Sequence, residues 1–281
     1  MLIELIKNFS IDFCAVFEEN ITDIVFMLPY SPFEYYPKNC ARIDAFYIAS
    51  NTLYNKVKQI KQVLIDNGYT IIDRQLELKK VAQVGGLGSI LNNQLLVNKK
   101  YGSRITLQSI SVVGKYEYFK DGKTDKICDS CHKCDTACPT NSLCKGEFKR
   151  ENCLRHKQDY CEIFFDDKVG RTLGCEECQN ICPYNSRVLK VQMPKAIAEL
   201  FDYSNIIKML LGGRKALKPL ADLIGSNMAR STFLFNLVVN SLISSKNFDY
   251  TEQIKLFQFH QSESIRNKVN FYLNVVNKRK I

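Results

Sequence analysis

Residues 128–139 read CDSCHKCDTACP, and residues 175–183 read CEECQNICP. The first stretch is a C-x2-C-x2-C-x3-C-P run, a spacing typical of proteins that hold iron–sulfur clusters. The second stretch repeats this pattern without its first cysteine. Because a four-iron cluster takes four thiolate ligands, the two stretches together predict two [4Fe–4S] clusters.

The spacing also predicts which cysteine binds which cluster. Three cysteines of one tight loop can bind three irons of one cluster, whereas the fourth, at the start of a helix, points toward the neighbouring cluster. Cys153 is the nearest upstream candidate for the ligand that the second run lacks, and Cys144 and Cys161 are the alternatives. The predicted ligands are Cys128, Cys131, Cys134 and Cys182 for cluster 1, and Cys138, Cys153, Cys175 and Cys178 for cluster 2.

Zinc and disulfides are the alternative uses of these cysteines. Paired C-x2-C sequences also build zinc ribbons, but zinc explains neither the third cysteine of the first run nor the two Cys-Pro endings. Ten of the twelve cysteines lie within residues 128–182. Charged residues near the start of the chain interrupt any apolar signal segment, so we expect a reducing cytoplasm, in which disulfides are rare. Cys14 and Cys40, outside the block, are expected to be buried apolar groups.

Composition and charge exclude several classes of protein. A chain of 281 residues with 46% hydrophobic residues can bury a core, which excludes a disordered tail. The most apolar stretch, residues 233–243, falls short of the roughly 20 residues that a membrane span needs. The net charge is +10, and residues 191–281 hold 13 basic against 6 acidic residues. This basic C-terminal third predicts either a polyanionic partner or a solvated lysine surface.

Hydrophobic patterns divide the chain into three parts of different character. The predicted fold class is α+β with several domains: an α/β domain at residues 1–120, the cysteine-rich domain at 121–192, and a helical, repeat-like cap at 193–281. The expected strands cover residues 23–30, 69–73, 94–98 and 104–113, the last two paired around a turn, and the expected helices cover residues 50–67, 76–84, 195–211, 215–224, 231–244, 251–259 and 262–276.

The order of these features resembles one known family. Gly86-Leu87-Gly88, Lys100-Tyr101-Gly102-Ser103, the eight cysteines and a helical tail follow one another as in the epoxyqueuosine reductases. The resemblance runs from about residue 23 to about residue 241. It implies an N-terminal domain of the corrinoid-binding type, a ferredoxin-like double-[4Fe–4S] domain and a HEAT-like helical cap. It also implies cobalamin as a cofactor and the anticodon stem-loop of a tRNA as a partner.

The resemblance further implies roles for individual residues. Asp73 lies where the family has its proton-donating aspartate, and the alternative role of Asp73 is a helix N-cap. The family usually has an acidic residue followed by Tyr-His, and Tyr54 lies at the tyrosine of that motif. Leu53 and Asn55 replace its two neighbours. The family's I-G-K-N is replaced by residues 90–93, ILNN, so its lysine is absent. The residues that the resemblance places near the corrinoid are Tyr54, Asp73, Asn93, Gly102, Ser103 and Arg155.

The resemblance thus implies an oxidoreductase that converts epoxyqueuosine to queuosine in tRNA. Removing an epoxide oxygen takes two electrons, which no side chain can supply, so a flavodoxin- or ferredoxin-type donor is also expected. A monomer without membrane contact is expected. The alternatives are a non-catalytic two-cluster electron carrier, a corrinoid-dependent reductase for another substrate, and a zinc-organised RNA-binding module.

Overall fold

The computed structural model describes residues 1–124, 128, 130–159 and 173–278. It divides into two units, of which unit 1 comprises Met1–Pro32, Ala45–Lys149 and Glu176–Lys190, and unit 2 comprises Phe33–Asp44, Arg150–Cys175 and Val191–Ile281. The division into three consecutive domains stays a prediction. In chain order the elements are α1 (Leu2–Lys7), β1 (Asp12–Glu18), β2 (Ile21–Pro29), α2 (Ala45–Asp66), β3 (Ile71–Ile72), α3 (Leu78–Val84), β4 (Ser89–Ile90), β5 (Leu96–Val97), β6 (Ile105–Val113), α4 (Lys133–Ala137), β7 (Leu143–Cys144), β8 (Glu147–Phe148), α5 (Leu154–Asp159), α6 (Glu177–Asn180), α7 (Lys195–Leu200), α8 (Tyr203–Leu211), α9 (Lys218–Ile224), α10 (Ser231–Ser244), α11 (Thr251–Lys255) and α12 (Glu263–Lys278).

Unit 1 is built on an antiparallel sheet of order β1-β2-β6-β3. The expected strand at residues 23–30 is confirmed as β2, and β6 confirms most of the strand expected at 104–113. The expected pairing of residues 94–98 with β6 is wrong, because β5 pairs with β4 instead. That pairing depends on contacts across the sheet, since β6 is already bonded to β2 on one side and to β3 on the other.

The two faces of this sheet are covered by different segments. Strand residues point alternately to opposite faces, so Phe13 and Ile24 pack on one side while Cys14 and Val25 pack on the other. The apolar stripe of α2 covers the first face. This helix begins more than one turn before the expected residue 50, since residues 45–49 are also apolar. The β4–β5 hairpin and α3 cover the second face.

Because Gly86 has no side chain, the segment around Lys120 can pass close to it near the second face of the sheet. Gly86 has φ +82°, and a Cβ there would lie 1.9 Å from the carbonyl oxygen of Lys120. Gly86 also accepts a hydrogen bond of 2.7 Å from the amide of Gly122. These contacts bring the segment that precedes the first cysteine run against the hairpin that carries Leu91 and Asn93.

Unit 2 is mainly helical. The helices expected at 231–244 and 262–276 are confirmed as α10 and α12, and α10 packs against both α12 and α8. A single helix over residues 195–211 is wrong: α7 ends at Leu200 and α8 begins at Tyr203. The carboxylate of Asp202 accepts a hydrogen bond of 2.9 Å from the amide of Ser204 and caps the new helix.

Helix α10 is apolar because most of it is buried in the protein. Ten of its fourteen residues are buried, and the helix packs against α8 and α12. In the part of the chain that the structure describes, no helix has both the length and the apolar character that a membrane span requires.

Unit 2 also buries a lysine. Lys268 of α12 is 0% exposed, and its Nζ has no hydrogen-bond partner among the described residues. The Nζ lies 5.2 Å from the ring centroid of Phe271. Burial lowers the pKa of Lys268 to about 8, because a charged amine loses its hydration there.

We expect Lys268→Met to stabilise the protein by about 2 kcal/mol near neutral pH, because methionine fills similar space without removing a charge from water. The pKa of Lys268 in the folded protein, about 8, lies below the ordinary value of 10.5. Between these pH values the unfolded chain binds more protons, so the wild-type protein gains stability as the pH rises through this window. The advantage of the variant should therefore shrink at alkaline pH. Urea denaturation followed by circular dichroism measures both effects.

The matched control for this prediction is Lys278→Met, at an exposed position of the same helix. This variant should match the wild-type protein at every pH. If Lys268→Met and the wild-type protein are equally stable at neutral pH, the buried amine does not lower the free energy of unfolding.

Candidate metal centre

Four cysteines from the two runs line one cavity in unit 1. The cavity has a volume of about 330 Å³. Its lining includes three cysteines of the first run and the last cysteine of the second run, which are about 50 residues apart in sequence. These residues are the four predicted for cluster 1: Cys128, Cys131, Cys134 and Cys182.

Local backbone geometry positions these thiols. The amide of Cys131 donates a hydrogen bond of 3.1 Å to the carbonyl of Cys128 and closes a turn. His132 has φ +44°, and α4 starts directly after it, which places Cys134 in the buried first turn. Cys182 has extended backbone angles, φ −70° and ψ 123°, as the residue before a proline requires. The Cys-Pro endings therefore stop the preceding helical turn, and Cys182 lines the cavity.

Burial controls the acidity of the cavity thiols. Desolvation raises the pKa of Cys134 to about 11 and also raises the pKa of Cys182, to which neighbouring Cys128 and Cys131 contribute. Without a bound cation these two thiols keep their protons at neutral pH. Metal ligands must be thiolates, so binding at this cavity would release protons.

Cys138 lies in a different environment. Burial alone would raise the pKa of its thiol, but donated hydrogen bonds lower the pKa below its ordinary value. The amide of Ser142 lies 3.2 Å from its Sγ, and the segment of Thr140 and Leu143 adds further donors. Amide groups aimed at sulfur stabilise a thiolate, which is the ligand form.

Zinc and a four-iron cluster need different spacings of their sulfur ligands. Tetrahedral zinc with bonds of about 2.3 Å would bring its sulfur ligands to within about 3.8 Å of one another. A four-iron cluster is a wider body with sulfides of its own, so its ligands lie further apart. Among the described residues, no group of three or more His, Cys, Asp or Glu is placed to hold one metal ion. The four thiols that line the cavity match a cluster in number, and the cluster itself stays a prediction.

The ligands predicted for cluster 2 are divided between the units. Cys138 and Cys178 belong to unit 1, whereas Cys153 and Cys175 belong to unit 2. Their common ligation therefore stays a prediction. Of the two alternatives to Cys153, Cys144 is exposed at the end of β7, and Cys161 lies outside the described residues.

The turn before β6 supports the second cysteine run through buried polar contacts. We call the residues that make them, Ser103, Arg104 and Asn185, the seat. Ser103 is buried; its amide donates to Asn185 Oδ1 at 2.8 Å, and its carbonyl accepts from Gln179 Nε2 at 2.8 Å. Asn185 Nδ2 also lies 2.9 Å from Ser103 Oγ. Gly102 has φ +58°, and a Cβ there would lie 2.0 Å from Asn185 Oδ1. The seat thus holds the chain on both sides of Cys182.

A buried ion pair completes this seat. Arg104 is 2% exposed and contacts the carboxylate of Glu176, which is 4% exposed and lies between Cys175 and Cys178. Arg104 Nη2 also donates to Asn180 Oδ1 at 2.7 Å. A buried charge needs a partner, so this network fixes the position of α6, which contains Cys178.

Sequence reasoning missed these supporting residues. Arg104, Glu176 and Asn185 are polar residues within three positions of a predicted ligand or a motif glycine, and that position was the available signal. Asn92 was noted only for an absent lysine, yet its Nδ2 donates to the carbonyl of Cys128 at 2.9 Å. It ties the first cysteine loop to the β4–β5 hairpin.

The residues expected near a corrinoid are not gathered around this cavity. Asn93 is the member of that set that lines it. Tyr54 is 55% exposed on α2, and the side chain of Asp73 is 94% exposed, with its carboxylate 3.1 Å from Lys61 Nζ. Gly102 and Ser103 pack against the second cysteine run, as above. Arg155 lies on α5 in unit 2.

The six residues thus lie on several elements and in both units. The close approaches at Gly86 and Gly102 are filled by the protein's own atoms, Lys120 and Asn185. The roles of the six residues stay predictions from the resemblance.

Comparison with known proteins gives consistent names. No family model matches the chain. It is 33% identical over 111 residues to the epoxyqueuosine reductase of Listeria monocytogenes, covering 37% of this chain and 28% of that protein. It is 29% identical over 152 residues to the epoxyqueuosine reductase of Lactococcus garvieae, covering 52% of this chain and 43% of that protein. The matched part of the chain thus spans less than half of these curated relatives.

Solved structures extend the likeness of fold. The epoxyqueuosine reductase of Streptococcus thermophilus superposes with a TM-score of 0.70 at 20% identity, covering 92% of this chain and 74% of that one. An epoxyqueuosine reductase crystallised with an epoxyqueuosine-modified tRNA stem loop gives a TM-score of 0.66 at 16% identity, covering 91% and 73%. The α+β fold expected from the sequence is that of these enzymes. The chain is therefore similar, in part of its sequence and in its fold, to the epoxyqueuosine reductases.

Proposed function

We propose that this protein is an iron–sulfur oxidoreductase that reduces epoxyqueuosine to queuosine in tRNA. The observation that carries the proposal is the cavity lined by four cysteines from two separate runs. The curated relatives named epoxyqueuosine reductase support the reaction class. The proposal includes the finer architecture, namely a corrinoid-binding-type domain, a double-[4Fe–4S] domain and a HEAT-like cap, in a cytoplasmic monomer.

The cysteines would hold the clusters in the sets predicted from spacing. When bound, such clusters accept and donate single electrons at potentials between about −700 and +450 mV. Cys134 and Cys182, both largely shielded from water, would keep solvent from one cluster. The seat formed by Ser103, Arg104 and Asn185 would hold the second cysteine run in the position that it needs relative to the first run.

Asp73 remains the proposed proton donor to the leaving oxygen. Its carboxylate is exposed and paired with Lys61, so a substrate would have to reach it at the protein surface. A tRNA stem-loop is a substrate that can do so, because its reacting base lies in an exposed loop. If Asp73→Asn keeps full turnover with both clusters loaded, this role is lost.

The proposed tRNA contacts lie in unit 2. Arg214 and Lys215 precede α9, Lys218 begins it, and Arg230 precedes α10. All four are exposed, and Lys218 Nζ lies 2.6 Å from Asp222. Phosphate contacts release counter-ions, so the affinity for a tRNA anticodon stem-loop should fall steeply as salt rises. Affinity that is independent of salt would argue against RNA binding.

The deciding experiment is anaerobic reconstitution with iron and sulfide, with and without added cobalamin. We expect about eight irons per chain, a broad visible absorption band, and conversion of an epoxyqueuosine-modified stem-loop under reducing conditions. A colourless, iron-free protein would overturn the proposal. The cobalamin requirement is decided in the same samples by uptake of the corrinoid and by its effect on turnover.

A second function is favoured by one observation. The residues expected around a corrinoid are exposed, or they pack elsewhere, and Asn93 is the member of the set that lines the cysteine cavity. A two-cluster electron carrier needs no such pocket. About eight irons with no corrinoid uptake and no turnover would establish this carrier and exclude the reductase.

A further inference from the structure

The mouth of the cysteine cavity is strongly basic. Besides the four cysteines, its lining includes Lys99, Lys123, Lys133 and Arg187, all of them exposed. Among the described residues that line the cavity, none is an aspartate or a glutamate. Lys99 does contact an acidic group nearby, Asp121, at 2.5 Å. Lys123, Lys133 and Arg187 still place three basic side chains around the cavity that the thiols line.

Exposed aliphatic side chains flank the same segment. Ile181 precedes Cys182 and is 44% exposed, and Leu189 follows Arg187 by two residues and is 80% exposed. Exposed apolar groups rimmed by polar residues form part of protein interaction sites when they are contiguous. Transient redox complexes use small interfaces of this kind, below about 1,200 Å² in total.

We propose that this basic rim is the docking surface for an acidic, one-electron carrier protein. The inference rests on the proposed function, since it requires a cluster held by the four cysteines beneath the rim. Opposite charges would steer the carrier to the rim and raise the rate of encounter. The exposed aliphatic groups, Ile181 and Leu189, would add apolar contact area to the complex.

The transfer itself is chemically simple. One electron would leave the reduced carrier, which would be oxidised by one unit, and would reduce by one unit a cluster held by the four cysteines. No bond forms or breaks, and no proton has to move. Two such encounters supply the two electrons that the proposed reduction consumes.

RNA is the competing occupant of a basic rim. The rim favours a protein partner because its charge surrounds the thiols, whereas unit 2 carries its own excess of basic residues. RNA contacts of the sequence-tolerant kind are made by phosphate-binding cations and by aromatic groups that stack on bases. Of the lining residues, Tyr184 is such an aromatic group, but it is only partly exposed.

The test uses cluster-loaded protein and a purified acidic [2Fe–2S] ferredoxin, reduced and mixed under argon in a stopped-flow spectrometer. We expect the second-order rate constant to fall with rising salt, and to drop about tenfold at low ionic strength in Lys123→Glu and in Lys133→Glu. The matched control is Lys58→Glu, which changes the charge equally at an exposed position of α2, on the other face of the sheet. Its rate constant should equal that of the wild-type protein.

Reduced methyl viologen separates docking from cluster chemistry, because this small reductant needs no protein interface. At high salt, which screens the positive charge of this reductant, it should reduce the wild-type protein and all three variants at the same rate. If no cluster can be loaded, the proposed function fails. If methyl viologen reduces the loaded protein but the ferredoxin rate ignores salt and both rim substitutions, only the docking surface is wrong.

Two further outcomes would also overturn the docking proposal. An equal loss of rate in Lys58→Glu would show that the net charge of the protein, not the rim, attracts the carrier. A tRNA anticodon stem-loop whose affinity falls in Lys123→Glu, combined with an unchanged ferredoxin rate, would identify the rim as an RNA site.

Discussion

Cys182→Ala should halve the iron content of the reconstituted protein, from about eight to about four irons per chain. The reason is crosswise ligation: Cys182 comes from the second run but lines the cavity of the first. Removing it leaves three thiols at that cavity, and a cluster with an exposed iron corner is lost readily. Iron analysis and electron paramagnetic resonance of the reduced protein measure the loss.

The pattern of loss identifies the ligand sets. Cys128→Ala should remove the same resonance signal as Cys182→Ala, and Cys178→Ala should remove the other one. Cys144→Ala, at an exposed position, serves as the control and should keep about eight irons. Different signals lost in Cys128→Ala and Cys182→Ala would mean that each run builds its own cluster. The crosswise assignment would then be wrong.

Arg104→Met should destabilise the folded protein by about 3–5 kcal/mol, because it leaves the buried carboxylate of Glu176 without its cation. The side chains of both residues are almost inaccessible to solvent, 2% for Arg104 and 5% for Glu176. Since Glu176 lies between Cys175 and Cys178, the variant should also load less iron at the second run. Urea denaturation under argon, followed by circular dichroism, gives the change in free energy.

A second substitution tests the cause of this loss. Arg104→Met combined with Glu176→Met removes both charges, and we expect most of the stability to return, since paired buried charges are often replaceable by apolar groups. Arg187→Met, at an exposed arginine of the same unit, should change stability by less than about 0.5 kcal/mol. If the double variant is as unstable as Arg104→Met alone, the ion pair is not the source of the effect.

Some parts of the fold followed directly from local patterns. The helices at α10 and α12 and the strand β2 were predicted because each has a long, regular apolar pattern that local packing satisfies. The break between α7 and α8 was missed because an aspartate cap competes with an otherwise helical run. The partner of β5 was missed because strand pairing depends on residues far apart in the chain.

The candidate site likewise contains a part that local patterns predict and a part that depends on contacts between distant residues. Cysteine spacing predicts the four residues that line the cavity, because ligands of a cluster must come from tight loops whose geometry is local. The seat of Ser103 and Arg104 could not be predicted in this way. Its partners, Gln179 and Asn185, lie more than 70 residues further along the chain.

The sequence by itself determined the spacing of the cysteines from which the cluster ligands are predicted, the apolar stripes of the helices and the family resemblance, since each depends on the chemistry of neighbouring residues. The tertiary structure decided that Gly102 and Ser103 support the second cysteine run, that Asp73 is exposed beside Lys61, and that cations surround the cysteine cavity. Burial and exposure arise from contacts between distant segments. Such contacts are fixed only when the whole core has formed, so no local pattern could reveal them.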